Sequence, residues 1–447
     1  MPFQPLNIPI TWGRIAIAVA ALSHALFATF IVGTSVIGAL VATINYRTRK
    51  ERWGRLAHMI AFTLALTTGT ISFMGVVLVF SLNVFWPHFW STLFRIMFWP
   101  FLLEAGFFLG EAVFAYAWYY GWAWTLAPDR RRGFHLSFAW LAAGSSLIAM
   151  FMIDITASYM LTPAPPETFW PRIFNPTMIR LDVHRFFGNL VWAGFALAGI
   201  SAIGALRAKR GEDRAHYLWG GRFFFAIGFG ALLVMPFIGF LYLRQIRYTE
   251  PQVFFTLMLG SRSWLFDLVA LFYGLLVVVG SFYIYKMVKS NPTRPASFDS
   301  YMPISLGAVI LAAIVFALPY HLQHIPFVHH ITHLQVNPFG KMQPNKYLSA
   351  SVLVFLGLVS WIYYLSAFRG MGVREETAAP LRPDRTAPRL LITLAVLSIL
   401  IYLVMGYSRE TARATNGYLI YDMIRLTDER PTYPGTAQGT ALAQKKR

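Results

Sequence analysis

The feature that most constrains this chain is a series of ten long apolar stretches. Each is long enough to cross a bilayer, which takes roughly 20 apolar residues in a helix. Because hydrocarbon offers the backbone no hydrogen-bond partners, such stretches fold as α-helices. The ten stretches lie at residues 14–45, 56–82, 92–124, 135–161, 181–206, 221–243, 253–287, 303–320, 347–368 and 389–407. The sequence therefore predicts an all-α polytopic membrane bundle of about ten transmembrane helices.

The basic residues predict the topology of this bundle. The chain has 447 residues and a net charge of +19, and its Lys and Arg concentrate in alternate loops. These loops follow the first, third, fifth, seventh and ninth helices, at residues 47–55, 130–132, 207–214, 286–294 and 369–389. By the positive-inside rule they are cytoplasmic, which places the N-terminus and the C-terminal tail outside. The charge is therefore explained by topology and anionic lipid, and no nucleic-acid partner is expected.

The chain divides into three predicted parts, with no soluble domain between the helices. Residues 1–290 form a core of seven helices, and residues 291–407 add three more with a histidine-rich external loop at 321–346. Residues 408–447 form an external tail. The absence of cysteine excludes disulfides, thiolate zinc sites, iron–sulfur clusters and covalently attached c-type haem. Histidine, methionine and carboxylates remain as metal ligands.

Two acids lie inside an apolar helix, in the stretch "LLEAGFFLGE" at residues 102–111. Glu104 and Glu111 are seven residues apart, which places them on nearly the same face, roughly 10 Å apart along the axis. An ionised acid near the bilayer centre costs on the order of 3 kcal/mol, so such residues usually face a cavity, a partner or a proton path. We expect a role in proton delivery or beside a metal. The alternative is a pair of protonated acids hydrogen-bonded between helices.

Three further residues are candidate haem ligands. His24 lies inside the first helix among small side chains, which would let a flat macrocycle approach, although a hydrogen-bonded interior histidine is the alternative. His184, in "RLDVHRFFGNLVW", begins the predicted fifth helix, and Met258, in "FFTLMLGSRSW", begins the predicted seventh. Both starts are external. An imidazole and a thioether at one depth are able to complete the axial coordination of a low-spin haem; packing is the alternative.

The external loop "YHLQHIPFVHHITH" is unusually rich in histidine. The favoured interpretation is a polar interfacial loop with neutral imidazoles, and a copper, zinc or additional haem site is the alternative. The residues concerned are His321, His324, His329, His330 and His333.

Taken in order, these stretches resemble subunit I of the cytochrome bd oxidases, the copper-independent quinol oxidases of bacteria. "GRIAIAVAALSHALF" is similar to that family's first helix, in which an Arg precedes the distal-haem His by ten residues, as Arg14 precedes His24 here. "RWGRLAHMIAFTLALTTG" resembles the second helix, and "LLEAGFFLGE" resembles the third-helix segment with two glutamates. His184 and Met258, the latter in a Phe-x-x-Met-x-Gly pattern, match the family's low-spin haem ligands. The resemblance covers residues 10–290.

The chain also departs from the family pattern. Its two glutamates are seven residues apart, where the family usually has eight. "MGYSRETAR" stands where family members carry a Gly-Arg-Gln-Pro-Trp signature, and we identify no counterpart of the glutamate that ligates the family's second high-spin haem. The long quinol-binding loop between helices six and seven is reduced to residues 244–252.

The resemblance implies a haem-binding subunit of a bd-like respiratory complex in a bacterial or archaeal cytoplasmic membrane. It implies two or more haem b groups, with haem d as a further candidate. Copper is a weaker candidate, which the histidine-rich loop and not the resemblance suggests. Electrons would pass from a His184/Met258 haem near the outer surface to a haem held by His24, with oxygen as the expected acceptor. Glu104 would lie beside that haem and Glu111 on its proton route from the cytoplasm.

Two alternative functions and the identity of the electron donor stay open at this point. The alternatives are an electron-transfer cytochrome b that does not reduce oxygen, and a proton-coupled transporter. Other membrane subunits are expected partners. The short loop at 244–252 favours an external cytochrome or another redox subunit over quinol as the donor. Such a partner is expected to dock on the histidine-rich loop and on an Arg-rich tail beginning at Arg409.

Overall fold

The computed structural model describes residues 10–126, 128–291, 294–319, 321–331, 344–370 and 385–429. Within these ranges the chain forms thirteen α-helices and one small antiparallel sheet. The helices are α1 (Ile10–Thr48), α2 (Glu51–Phe85), α3 (Pro87–Ile96), α4 (Phe98–Tyr120), α5 (Asp129–Tyr159), α6 (Phe169–Ile173), α7 (Met178–Arg207), α8 (Gly211–Thr249), α9 (Pro251–Met258), α10 (Ser263–Lys289), α11 (Ala296–Ala317), α12 (Pro344–Gly370) and α13 (Thr386–Thr415). The strands are β1 (Tyr418–Ile420) and β2 (Ile424–Arg425).

Ten helices in the described ranges are long and apolar enough to cross a membrane, which confirms the predicted all-α membrane bundle. They are α1, α2, α4, α5, α7, α8, α10, α11, α12 and α13. The shorter α3 and α9 lie directly before α4 and α10 in the chain, and α6 lies before α7. The bundle therefore carries short helices at the ends that the predicted topology places outside.

The predicted third and seventh helices are each interrupted near their start. Pro100 lies in the first turn of α4 and has no N–H for the carbonyl of Ile96, so the chain breaks at Met97. Between α9 and α10, the N–H of Gly260 turns back to the carbonyl of Phe255 at 2.8 Å. A Cβ atom on Gly260 would lie 3.1 Å from the Cα atom of Thr256, so this turn requires glycine.

The core of the bundle forms where α7 and α8 cross. A Cβ atom on Gly194 would lie 2.6 Å from the Cα atom of Gly228, so the two backbones meet with no side chain between them. Such contacts between small residues are typical of helices packed within membranes. Phe195 and Phe229 are fully buried next to this crossing. The crossing fixes α7 and α8 as one rigid pair.

Two ion pairs test the predicted topology. Arg49 contacts Asp129 with an N–O distance of 2.6 Å, and Arg55 contacts Asp213 at the same distance. These pairs join the loops that follow the first, third and fifth membrane helices. The three loops therefore lie on one face of the bundle, as the distribution of basic residues predicts.

Between the sixth and seventh membrane helices, α8 and α10, the chain forms the short α9 and two short turns. α8 continues to Thr249 and α9 begins at Pro251, so Glu250 alone separates them. The predicted loop at 244–252 is therefore helical over most of its length. A proline at the first position of α9 restarts the helix because its missing N–H is not needed there.

The segment after the last membrane helix folds back onto the bundle. α13 continues to Thr415, beyond the predicted start of the tail at residue 408, and a hairpin follows. Leu419 and Ile420 are buried in this hairpin. The N–H of Tyr421 donates to the carbonyl of Met160 at the end of α5, at 3.0 Å. This segment is thus a packed external cap, and residues 430–447 of the predicted tail lie outside the described residues.

Glu429 fastens this cap to the N-terminus of α3. Its side chain is buried, and its carboxylate accepts hydrogen bonds from the backbone N–H groups of Phe89 and His88. A helix N-terminus favours an acceptor of this kind because its first N–H groups have no partners within the helix. Burial raises the pKa of Glu429 to about 7, against the opposing effect of the two N–H donors, and nearby Asp428 raises it further.

This pKa predicts how the stability of the cap depends on pH. Because the folded-state pKa of about 7 exceeds the ordinary value of 4.5, the folded chain holds a proton that the unfolded chain releases. The stabilisation is therefore present at acid pH and lost as the pH rises through 7. Glu429→Gln keeps an acceptor oxygen and stays neutral, so its Tm in detergent should match the parent's at about pH 4, below the ordinary pKa of the acid, and exceed it at pH 8. A variant less stable than the parent at pH 8 would contradict this assignment.

Candidate functional site

One large and mostly apolar cavity collects the polar residues that the sequence singled out. Its volume is about 2200 Å³, whereas ordinary small-molecule pockets have roughly 300–1,000 Å³. It lies among α1 to α5 and α7 to α13. Every predicted haem or proton residue of the core lies in its wall: Arg14, His24, Glu104, Glu111, His184 and Met258.

His24 lies in the cavity wall on α1 and faces a glycine of the neighbouring helix. A Cβ atom on Gly75 of α2 would lie 3.4 Å from the Cε1 atom of His24, so the glycine leaves the ring uncrowded. The Nδ1 atom of His24 is buried and has no hydrogen-bond partner within the described part of the chain. Buried polar atoms normally have partners, so this atom marks a place for a ligand or water. Arg14 lies about 15 Å along the same helix.

His184 lies on α7 in a similar setting. Its Nδ1 atom is buried without a partner among the described residues, and a Cβ atom on Gly239 of α8 would lie 3.7 Å from its Cε1 atom. The ring of Tyr242 is centred 5.8 Å from the imidazole. Met258 belongs to the same buried cluster as Tyr242 and Leu181, and Leu181 is one turn before His184. The fold therefore brings the predicted histidine and methionine to one end of the cavity.

The position of Met258 differs from the sequence-based expectation. It is the last residue of the short α9 and does not begin a membrane helix. The break at Gly260, followed by the polar Ser261, Arg262 and Ser263, explains the difference, because it separates α9 from α10 within the predicted seventh helix. Met258 is 5% exposed and thus firmly packed.

Glu104 and Glu111 both face the cavity from α4. Glu111 is 4% exposed, and its Oε1 atom has no hydrogen-bond partner among the described residues. Glu104 is half-buried. The hydroxyl of Ser146 on α5 is also buried without a partner and lies in the same wall. The two acids and this hydroxyl leave several polar atoms to be satisfied by water or by a bound group.

A buried ion pair near His184 was not predicted from the sequence. Asp154 of α5 is 0% exposed and pairs with Arg185, which follows His184 on α7 and lines the cavity. Arg409 of α13 donates a hydrogen bond to the carbonyl of Ala157 close by. The sequence does contain an indication of this pair, because Asp154 is an acid inside the predicted fourth membrane helix, as Glu104 is in the third.

The structure corrects the expectation of an exposed Arg-rich tail beginning at Arg409. Both Arg409 and Arg413 lie on α13 and in the cavity wall, and Arg413 is 6% exposed. Arg413 pairs with Glu410, which lines the same wall. Sequence analysis also missed Glu410, a carboxylate in the stretch "MGYSRETAR" of the last membrane helix. The reason is that polar residues facing a cavity look like solvent-exposed residues in a sequence.

The histidine-rich loop lies apart from the cavity. The rings of His321 and His324 are 5.9 Å apart, those of His329 and His330 are 6.1 Å apart, and His329 bonds to the carbonyl of Pro326 at 2.7 Å. Within the described parts of the chain, no three His, Asp or Glu residues are grouped as a metal site. His333 lies outside the described residues, and a metal in this loop stays a prediction.

The cavity fits haem at both predicted histidines. Each imidazole is partly buried, has a buried Nδ1 atom without a partner among the described residues, and faces a glycine that leaves space beside the ring. Imidazole and thioether are the ligand types that hold b-type haem iron. The volume of about 2200 Å³ exceeds what one macrocycle needs.

Comparisons with known proteins agree with this site. The family model described as cytochrome bd terminal oxidase subunit I matches residues 12–254, which is just over half of the chain. The chain is 27% identical over 215 residues to cytochrome bd ubiquinol oxidase subunit 1 of Bacillus subtilis, a match that covers 44% of this chain and 43% of that relative. A second cytochrome bd subunit I of the same organism is 26% identical over 206 residues, covering 42% of this chain and 44% of the relative.

The match to these relatives thus spans less than half of their length, whereas the structural match is broader. The bd oxidase structure from Geobacillus thermodenitrificans aligns with a TM-score of 0.51 and 16% identity, and covers 90% of this chain and 97% of that one. At this identity the likeness shows a shared fold. By its sequence match and its helical fold, the chain belongs to the cytochrome bd terminal oxidase subunit I family.

Proposed function

We propose that the chain is the haem-binding subunit of a cytochrome bd-like respiratory oxidoreductase that passes electrons toward oxygen. The observation that carries this proposal is the single cavity whose wall contains all six predicted core residues. Family membership supports haem as the cofactor class and the cytoplasmic membrane of a bacterium as the location. Ten membrane-spanning helices agree with that location. Further membrane subunits complete the complex.

The chain's own residues have distinct parts in this proposal. When bound, haem supplies the one-electron chemistry of its iron. His184 and Met258 would hold a low-spin haem b, and thioether ligation raises the reduction potential of such a haem. His24 would hold a second haem, of b or d type. The apolar wall excludes bulk water, which strengthens every charge interaction within the cavity.

Glu104 and Glu111 would move the protons that oxygen reduction consumes. α4 runs toward the basic loop at 130–132, so Glu111 is nearer the cytoplasmic end than Glu104. Their separation of roughly 10 Å is too long for one transfer, so intervening water is required. The unpartnered hydroxyl of Ser146 in the same wall offers such water a hydrogen-bond partner.

Spectra of the purified complex test this function. Haem content should be measured as the pyridine haemochrome, and the reduced protein should be compared with and without carbon monoxide. The expected result is a low-spin haem together with a carbon monoxide-reactive haem. A protein without haem would support the transporter alternative, and haem that never binds carbon monoxide would support an electron-transfer cytochrome.

The role of Met258 is tested with the same spectra. Met258→Leu conserves volume, so the fold should persist at a cost under about 1.5 kcal/mol. The low-spin haem should lose its sixth ligand, so its spectrum should become high-spin and its reduction potential should fall. Met287→Leu is the matched control, because Met287 is similarly buried at 9% exposure but lies outside the cavity wall. A Met258→Leu spectrum identical to the parent's would show that Met258 is not a ligand.

The two acids should differ in their effects. Glu111→Gln should slow oxygen consumption while haem content stays near the parent's. Glu104→Gln should slow turnover and also alter the spectrum, since we assign Glu104 a place beside the haem. Glu51→Gln, at the exposed cytoplasmic start of α2, should change neither property. If both cavity variants turned over at the parent's rate, the acids would be structural.

The electron donor follows from the connection between α8 and α9. The connection from α8 to α10 is residues 250–262, most of them in the short α9, which leaves too little chain to fold over a quinone head group, so we expect electrons from an external cytochrome or another redox subunit. Because Arg409 and Arg413 face the cavity, they are unavailable for docking. Exposed arginines on the external side, such as Arg180 and Arg425, remain. An acidic partner would be attracted to them.

This assignment predicts a salt-dependent reaction. The rate of haem reduction by an acidic external cytochrome should fall as ionic strength rises, because salt screens the attraction. Exchanging Arg180 and Arg425 for Gln should lower the rate at low salt, whereas Arg47→Gln on the cytoplasmic side should not. Rapid, salt-independent reduction by a short-chain quinol alone would show that a quinol site exists and that the partner is not needed.

A further inference from the structure

One partner of the buried Arg185–Asp154 ion pair lines the cavity, and the other does not. Arg185 lines the cavity, whereas Asp154 is fully buried on α5 and holds the guanidinium from behind. Asp182 of α7, one turn before Arg185, lies beside both partners and, like Asp154, is not part of the cavity wall. The pair therefore presents its positive end to the cavity and keeps its negative end away from it.

Arg185 also lies near both candidate haem ligands, His24 and His184. It follows His184 directly in the chain, and its charge lies close enough to act on the imidazoles of both His24 and His184. All three side chains face the same apolar space. In such surroundings a charge acts over a longer distance than it does in water, because there is little solvent to screen it.

We propose that the Arg185–Asp154 pair is a fixed electrostatic element that sets the reduction potentials of the haems held by His24 and His184. This inference rests on the proposed function. Reduction of a ferric haem adds one negative charge, so a nearby cation stabilises the reduced state and raises the potential. Asp154 holds the Arg185 guanidinium in place, and its negative charge reduces the effect of that cation on the haem potentials. Both are positioning residues, since neither is assigned contact with the iron.

A role in stability alone does not explain where the Arg185–Asp154 pair lies. A buried ion pair is weak evidence for stability, because apolar residues of similar volume often replace such pairs without loss. A contact that merely joins α5 to α7 would not need a positive end in the cavity wall. The neighbouring Arg409 adds a second cation, and its charge acts on His184 in particular.

The two partners of the pair should shift the potentials in opposite directions. In the purified complex at one fixed pH, Asp154→Asn removes the carboxylate paired with the guanidinium, leaving Asp182 as the nearby acid, and should raise the midpoint potentials of both haems. Arg185→Gln removes the cation and should lower both, whereas Arg185→Lys should stay close to the parent. Spectroelectrochemistry gives the midpoints, and the pyridine haemochrome gives haem per chain. Asp299→Asn, which breaks the surface pair with Arg294, is the control that should shift neither.

A double variant covers the case in which a single variant fails to fold. Removal of one partner leaves a buried charge unpaired, which is strongly destabilising. Asp154→Asn with Arg185→Gln removes both charges of the pair, while Asp182 and Arg409 remain, so it should retain haem and show lowered potentials. Shifts in the same direction for both single variants, or an unchanged double variant with intact haem, would overturn the inference. A parent complex without haem would overturn the proposed function, and the inference with it.

Discussion

Hydrocarbon penalises every unpaired charge, and this penalty determines where the polar side chains of the chain lie. In the membrane helices, charged groups pair with one another or face the cavity. Lys346 and Asp267 form a buried pair at 2.6 Å, and the Lys346 amine also bonds to the carbonyl of Phe316 at 3.0 Å. Arg185 is held in the same way by Asp154. The cavity is therefore the place where this fold tolerates unpaired acids such as Glu111.

The apolar helices and the isolated polar residues within them could be predicted from the sequence. A span of about 20 apolar residues has one stable form in a bilayer, so the ten helices follow from hydropathy. A histidine or glutamate inside such a span must face a partner or a cavity, so His24 and Glu104 were identifiable. Their meeting in one cavity depends on helix packing, which hydropathy does not describe.

Helix breaks and ion pairs could not be predicted in the same way. The turn at Gly260 lies inside the predicted seventh helix, and hydropathy averaged over a membrane span passes over the short polar stretch Ser261–Ser263 that marks the end of α9. Asp154 and Arg185 are 31 residues apart in the chain, on two helices whose relative rotation is set by packing. The inward-facing Arg413 was misread for a related reason, since a basic residue after an apolar run usually lies in water.

The continuity of α8 and α9 has a mechanical consequence. α8 presents Gly239 to His184 and, after Glu250 alone, continues into the helix that ends at Met258. The crossing at Gly194 and Gly228 fixes α7, which carries His184, against α8. The sulfur of Met258 and the imidazole of His184 are thus carried by packed helices that hold them at a fixed spacing. If His184 and Met258 hold a haem, as proposed, this arrangement would keep their spacing when the charge between them changes, so little energy would be spent on rearranging atoms, which favours rapid electron exchange.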